Sequence, residues 1–211
     1  MDPNKRNKLI ASAIELCAER GIHSASTNHI AKAAGVAAGT LFTYFATKEE
    51  LIQAVYLECK SELIEAMQAE LTPIDSPASG QAQKADPRTE FQNFLRHVWS
   101  RALEWGLARP TRHKFLRQFG QLPEAERCSP EVTALLETEM HFFYTAIDRA
   151  QASGAMIPVD REYMSLLFGA WFDATLDFLR RLPAADRPAA VQTSFGLLWR
   201  TVAVDPGPDS K

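Results

Sequence analysis

The chain has 211 residues, 46% of them hydrophobic and 23% charged, with a formal net charge of -3. That is enough apolar material to bury a core without disulfides, as one large or two small domains. Its three cysteines, Cys17, Cys59 and Cys128, are odd in number and far apart, which argues against a disulfide framework or a cysteine zinc site.

No apolar run reaches the ~18 residues that span a bilayer. The first ten residues, MDPNKRNKLI, lack a hydrophobic signal core, so a soluble cytoplasmic protein is expected. Almost every segment carries helical spacing, and no alternating strand pattern or internal repeat competes with it. Leu9, Ala13, Leu16 and Cys17 mark a first helix that Gly21 can end. A second helix is expected over about 27–34, stopping at Gly35, and a short third over about 38–45. Thr47 to Glu50 then reads as a capping box, with Thr47 accepting from the Glu50 amide and Glu50 reaching back. It opens a long helix over about 48–71, with Leu51, Val55, Cys59 and Leu63 on one face.

Residues 72–87, TPIDSPASGQAQKADP, form a low-complexity linker. Asp86 as cap and Pro87 at the first helical position start the next helix, and another begins near Pro110. Residues 129–154 read as one long helix, capped by Ser129 and ended by Gly154. Asp160 caps a helix whose apolar stripe is Met164, Leu167, Phe168, Trp171, Thr175, Phe178 and Leu179. The last, about 187–204, shows Val191, Phe195, Leu198 and Val202. The expected fold class is all-α, with about nine helices.

A helix, a tight glycine turn and a short helix make the helix-turn-helix arrangement. In IAKAAGVAAGTLFTYF, Gly35 takes the turn, while Ile30, Ala31, Ala34, Val36 and Leu41 can close a small core. Thr40, Thr43 and Tyr44 stay outside that core. Charge is distributed to match. Residues 1–48 hold Lys5, Arg6, Lys8, Arg20, Lys32 and Lys48 against Asp2, Glu15 and Glu19, a net of +3 that leaves -6 for the rest. A basic head on an acidic body suits a chain that meets phosphate at one end.

The block from Lys8 to Val55 resembles the DNA-binding domain of the TetR family of bacterial transcriptional regulators. The resemblance lies in Gly21, Thr27, IAKAAGV (30–36), GTLFTYF (39–45) and KEEL (48–51). It implies a DNA-binding domain over 1–47 and a helical effector-binding and dimerisation domain over 48–211. It implies that Thr27 holds a phosphate and that Asn28 reaches a phosphate or a base. Ala38 and Gly39 lead the recognition helix, where Gly39 lets backbone approach phosphate. Thr40 and Thr43 face the major groove, their methyls suited to thymine. Tyr44 and Lys48 hold phosphates, Lys48 helped by a positive helix end. Family members often carry Ser at the position of Ala37, and Lys or another polar residue at that of Ala38. Ala37 cannot cap its helix, a loss of about 1 kcal/mol. Readout then leans on Asn28, Thr40, Thr43 and DNA shape.

The resemblance also implies a homodimer built by the last two helices. Trp171, Phe178, Phe195, Leu198 and Trp199 are candidates for the interface, and intramolecular core accounts for each equally well. The middle helices hold Phe91, Phe94, Trp99, Trp105, Phe115, Phe119, Phe142, Phe143 and Tyr144, with Arg96, His97, Arg112, His113, His141 and Asp173 among them. An apolar cavity with a few polar groups is what a small-molecule site requires, and the family's sensing pocket lies among these helices. The expected effector is hydrophobic, either aromatic or acyl. Trp99, Phe115, Phe143 and Phe172 are the first candidates to touch it, with plain core packing the other account of each. The histidines show no i, i+4 pair, so no metal or other cofactor is expected.

The function these readings imply is a ligand-responsive dimeric DNA-binding transcriptional regulator. It would be a repressor released from a palindromic operator by a small hydrophobic effector. The alternative is a TetR-like DNA-binding protein without a small-molecule ligand, acting architecturally or through a protein partner. No nucleophile elbow, phosphate loop or metal-ligand motif supports an enzyme.

Overall fold

The computed structural model describes residues 2–71, 86–123 and 128–204. Among them are ten α-helices and no strand: α1 (Pro3–Arg20), α2 (Thr27–Ala33), α3 (Ala38–Tyr44), α4 (Lys48–Gln68), α5 (Pro87–Ala108), α6 (Pro110–Gly120), α7 (Pro130–Glu139), α8 (His141–Ala152), α9 (Arg161–Arg181) and α10 (Arg187–Val202). The linker expected at 72–87 lies almost wholly outside the described residues.

Local chemistry sets most boundaries. The Asp2 carboxylate accepts from the Asn4 amide, Ser26 Oγ from the His29 amide, and Asp160 from the Tyr163 amide. Each supplies a partner for an amide that a helix start leaves without one. Pro87 and Pro110 stand where a missing N–H costs nothing. Gly154, at φ +74°, turns the chain after α8.

The one long helix expected over 129–154 is two. Met140, at φ -83° and ψ -2°, separates α7 from α8. No glycine or proline marks this break, and a side-chain tie lies beside it. Ser61 Oγ donates to both oxygens of Glu139, at 3.0 and 2.8 Å, and fixes the last residue of α7. The buried face of α8, Phe143, Ile147 and Ala150, starts only after the break, whereas α7 buries nothing.

Packing sorts the chain into two compact units. The first comprises residues 1–63 and 108–139, the second 64–107 and 140–211. This grouping differs from the sequence boundary at 47/48, because α1 packs on α6 as well as on α2. In the first unit Leu9, Ala13, Cys17, Ile30, Leu41, Leu51 and Val55 are fully buried, and Phe115 and Phe119 of α6 complete the same core. Tyr56 stacks on Phe119 with ring centroids 4.1 Å apart. Glu62 ties α6 to α4. Its Oε1 accepts from Arg109 Nε at 3.0 Å, and its Oε2 makes an ion-pair contact with Arg112 Nε at 2.9 Å.

In the second unit α9 packs on α10. Trp99 is fully buried, and its indole Nε1 donates to Ser194 Oγ at 3.0 Å. An isolated bridge between Met156 and Ala203 pins the end of α10. No helix of the described residues is long and apolar enough to cross a membrane.

Gly106 sits where α9 comes closest to α5. A Cβ there would overlap the Leu176 side chain and crowd Phe172, while the Gly106 carbonyl accepts from Arg180 at 2.9 Å. Gly106→Ala should therefore destabilise the protein by about 1–3 kcal/mol, as overpacking of a filled core does. Thermal or denaturant unfolding of the variant against wild type measures this.

Candidate nucleic-acid interface

The turn between α2 and α3 is set by two backbone bonds. The Gly35 amide donates to Lys32 O at 3.1 Å, and the Val36 amide to Ala31 O at 3.0 Å, with Gly35 at φ +70°. This is a Schellman ending, which needs the left-handed conformation that glycine adopts without penalty. Leu41 of α3 and Ile30 and Ala31 of α2 close against each other, all at 1% exposure or less. Alanines at the crossing bring the two helices close, so the rest of α3 turns outward.

That outward face holds Ala38, Gly39, Phe42 and Thr43, all exposed, with Thr40 half-buried. On α2, Asn28 is exposed and Thr27 half-buried. The candidates Thr27, Asn28, Ala38, Gly39, Thr40 and Thr43 thus all lie on the two helices of the motif, at accessible positions. Thr43 Oγ1 donates back to Gly39 O at 3.2 Å, so its hydroxyl is used within the helix and the methyl is what it offers outward. Phe42 is absent from the sequence-derived candidates, yet at 49% exposure it is the most exposed large apolar side chain of α3. Of the three aromatics in LFTYF only Phe45 is core, at 2% exposure, and an i, i+4 count from Leu41 separates it from Phe42.

Tyr44 and Lys48 are already engaged. The Tyr44 hydroxyl donates to Asp2 O at 3.2 Å and receives the Asp2 amide at 3.1 Å. Lys48 Nζ donates to His23 O at 2.9 Å. A phosphate reaching either group would share it with these partners. Behind α3, Thr47 Oγ1 accepts the Glu50 amide at 3.1 Å, as the capping box requires. Glu50 reaches back one residue further than that pattern, accepting the Ala46 amide at 2.7 Å.

The candidates for a ligand site are placed differently. Phe115 belongs to the core of the first unit, among the helices of the motif. Trp99 and Phe143 are core residues of the second unit, at 0% and 2% exposure, and Phe172 is buried beside Gly106. None of the four lines the cavity of about 620 Å³ in the second unit, whose floor is Phe91, Phe94, Phe142 and Ala146, with His141 and Arg149 among its polar groups. A second hollow, about 770 Å³, lies between α5 and α10, where the Arg96 guanidinium sits 4.9 Å above the Phe195 ring.

Among the interface candidates, Phe195, Leu198 and Trp199 point into their own unit, at 6%, 0% and 9% exposure. Trp171 is half-buried. Phe178, at 54%, faces out, and it shares that side of α9 with Tyr163, Leu166, Ala170 and Ala174, while Leu197 is the exposed apolar residue of α10. Helical spacing identifies the apolar stripes, but both sides of α9 are apolar, so spacing alone does not tell which is turned inward.

Burial pushes the thiols of Cys17 and Cys59 up to about 11, which leaves no thiolate at neutral pH. Among the described residues no group of three His, Cys, Asp or Glu side chains could hold a metal ion.

An outward short helix, set by a left-handed glycine turn on a second helix in a basic N-terminal segment, defines a helix-turn-helix DNA-binding protein. Residues 9–55 match the family model described as bacterial regulatory proteins, tetR family. The chain is 37% identical over 67 residues to the fatty acid metabolism regulator protein of Bacillus subtilis, and 42% identical over 53 residues to the transcriptional regulator UidR of Escherichia coli K12. These matches span 32% and 25% of this chain, and only 34% and 27% of the two relatives. A solved structure from Shewanella sp. PV-4, assigned to the TetR family of transcription regulators, superposes with a TM-score of 0.74 at 26% identity, covering 95% of this chain and 99% of that one. The first quarter of the chain thus matches the TetR-family DNA-binding domain, and the chain as a whole shares the fold of a TetR-family structure. Both relatives are named as regulators.

Ala37 starts α3 with no side-chain hydrogen bond, and only its carbonyl serves the helix, accepting the Thr40 amide at 2.9 Å. Ala37→Ser places a hydroxyl where it can accept from the first turn. The variant should gain about 1 kcal/mol of unfolding free energy, read by chemical denaturation.

Proposed function

We propose that the protein is a dimeric transcriptional regulator that docks α3 in the major groove of a palindromic operator and is released by a small hydrophobic effector. The observation that carries the DNA reading is the exposed face of α3, with Gly39, Phe42 and Thr43 on an outward helix whose inner side is locked by Leu41. Gly39 lets backbone come close to phosphate. The methyl of Thr43 and the ring of Phe42 suit thymine methyls and sugar edges, and Asn28 and Thr40 supply polar contacts. Thr27, Tyr44 and Lys48 serve phosphates, the last two by sharing their present partners.

A single α3 of seven residues reads too few base pairs for specificity, so two copies are needed. The outward apolar stripe of α9 with Leu197 of α10 is the surface that pairs them across a two-fold axis. The effector is assigned to the cavity floored by Phe91, Phe94 and Phe142. Gln68, the last residue of α4, also lines it, whereas the hollow between α5 and α10 has no α4 residue. An acyl or aromatic molecule fits its apolar floor, in keeping with a relative named for fatty acid metabolism. Lys48 opens the same helix. Occupying the cavity biases α4, and with it the spacing of two recognition helices. Such coupling typically amounts to 1–3 kcal/mol and acts equally in both directions. The protein would act as a repressor in the cytoplasm.

Selection from a random DNA pool at physiological salt tests the reading. An enriched palindrome with half-sites about one helical turn apart is the expected result. Enrichment of nothing, with binding that depends only on salt, would move an architectural or partner-driven role to the front. Phe178→Asp puts a charge into the proposed pairing surface. It should shift the protein from dimer to monomer in analytical ultracentrifugation and abolish palindrome binding, while leaving the melting of the isolated fold near wild type.

A further inference from the structure

The start of α1 carries an unassigned cationic edge. Lys5, Arg6 and Lys8 fall within its first two turns, and all three are exposed. The only carboxylate among residues 2–14 is Asp2, and it is committed to capping the Asn4 amide at 2.9 Å. Among the described residues no carboxylate pairs with Lys5 or Lys8. Lys5 and Lys8 are three apart, so they stand one above the other on the same side of the helix.

Two contacts fix where this edge lies. The two hydrogen bonds between Asp2 and the Tyr44 hydroxyl bring the first residue of the α1 cap to the last residue of α3. One turn on, the Arg6 guanidinium lies 5.5 Å above the ring of Phe45, directly after α3. Both join the same end of α1 to the same end of the recognition helix. Lys5 and Lys8 therefore stand on the turns of α1 that are tied to the C-terminal end of α3.

We propose that the first two turns of α1 form a phosphate-binding edge of the operator interface. Lys5 and Lys8 each neutralise a backbone phosphate flanking the groove that α3 occupies, and Arg6 acts as a positioning residue that holds the turn against Phe45. The inference rests on the reading that α3 docks on DNA. A mobile ammonium on a four-carbon stem suits a phosphate that is held for its charge, without sequence information.

The test uses full-length protein and the DNA that the wild type selects from the pool. Affinity is measured against salt concentration for wild type, Lys5→Gln, Lys8→Gln and the control Lys114→Gln, an exposed lysine on α6. With one or two phosphates lost per dimer, each α1 substitution should flatten the log–log salt slope by about 0.9–1.8 and weaken binding about 5- to 30-fold at 0.15 M salt. Base preference should be unchanged and Lys114→Gln should match wild type. Slopes equal to wild type in both α1 variants would overturn the proposal. Thr43→Ala run alongside separates the two failures. If base preference shifts at one position in each half-site, α3 reads DNA and only the α1 edge is lost. If wild type selects no DNA and Thr43→Ala changes nothing, the docking of α3 fails and takes this edge with it.

Discussion

The left-handed turn at Gly35 is the constraint on which the site depends. At φ +70° it ends α2, brings the Gly35 and Val36 amides onto the free carbonyls of Lys32 and Ala31, and sends the chain into α3 within four residues. An L side chain there would cost about 1–2 kcal/mol. Given that turn, Leu41 has one place to go, against Ile30 and Ala31, and its burial decides which side of α3 faces out. The outward exposure of Gly39, Phe42 and Thr43 follows from packing on the opposite side. The same unit then braces the end of α3 twice, through Asp2 on Tyr44 and Arg6 on Phe45. The recognition helix is short, and these tertiary ties compensate for the cap that Ala37 lacks.

Much of this was legible in the sequence, because local rules govern it. Gly35, the Thr47–Glu50 box, Asp86–Pro87, Ser129 and Asp160 act within a few residues of themselves, and the structure uses each of them where spacing put it, except that Glu50 reaches back to the Ala46 amide. The all-α class and the helix-turn-helix followed from the same signals. The break at Met140 was not legible, since no glycine or proline marks it and the tie beside it, from Ser61 to Glu139, comes from far away in the chain. Nor was the brace of Tyr44 by Asp2, which joins residues 42 apart.

The second unit was less readable for a different reason. Its helices are apolar on more than one side, so periodicity marks them without assigning a direction. Trp99, Phe143 and Phe172 have the composition of a ligand site and the burial of a core. Phe115 was read with them by position in the chain, yet α6 packs on α1 and places it under the motif. Among the large side chains of α9 and α10, Phe178 and Leu197 differ from Phe195 and Leu198 only in which neighbour they meet. Size and hydropathy do not encode that difference.

The central claim is that the outward face of α3 enters the major groove. The most direct measurement is site-specific photo-crosslinking to operator DNA, with a photoreactive side chain placed at Thr43 in one protein and at Lys114 in another. The account predicts adducts from position 43 on pyrimidines inside each half-site, competed away by unlabelled operator, and none from position 114. Equal crosslinking from both positions, or adducts from 43 scattered along the duplex irrespective of sequence, would contradict it.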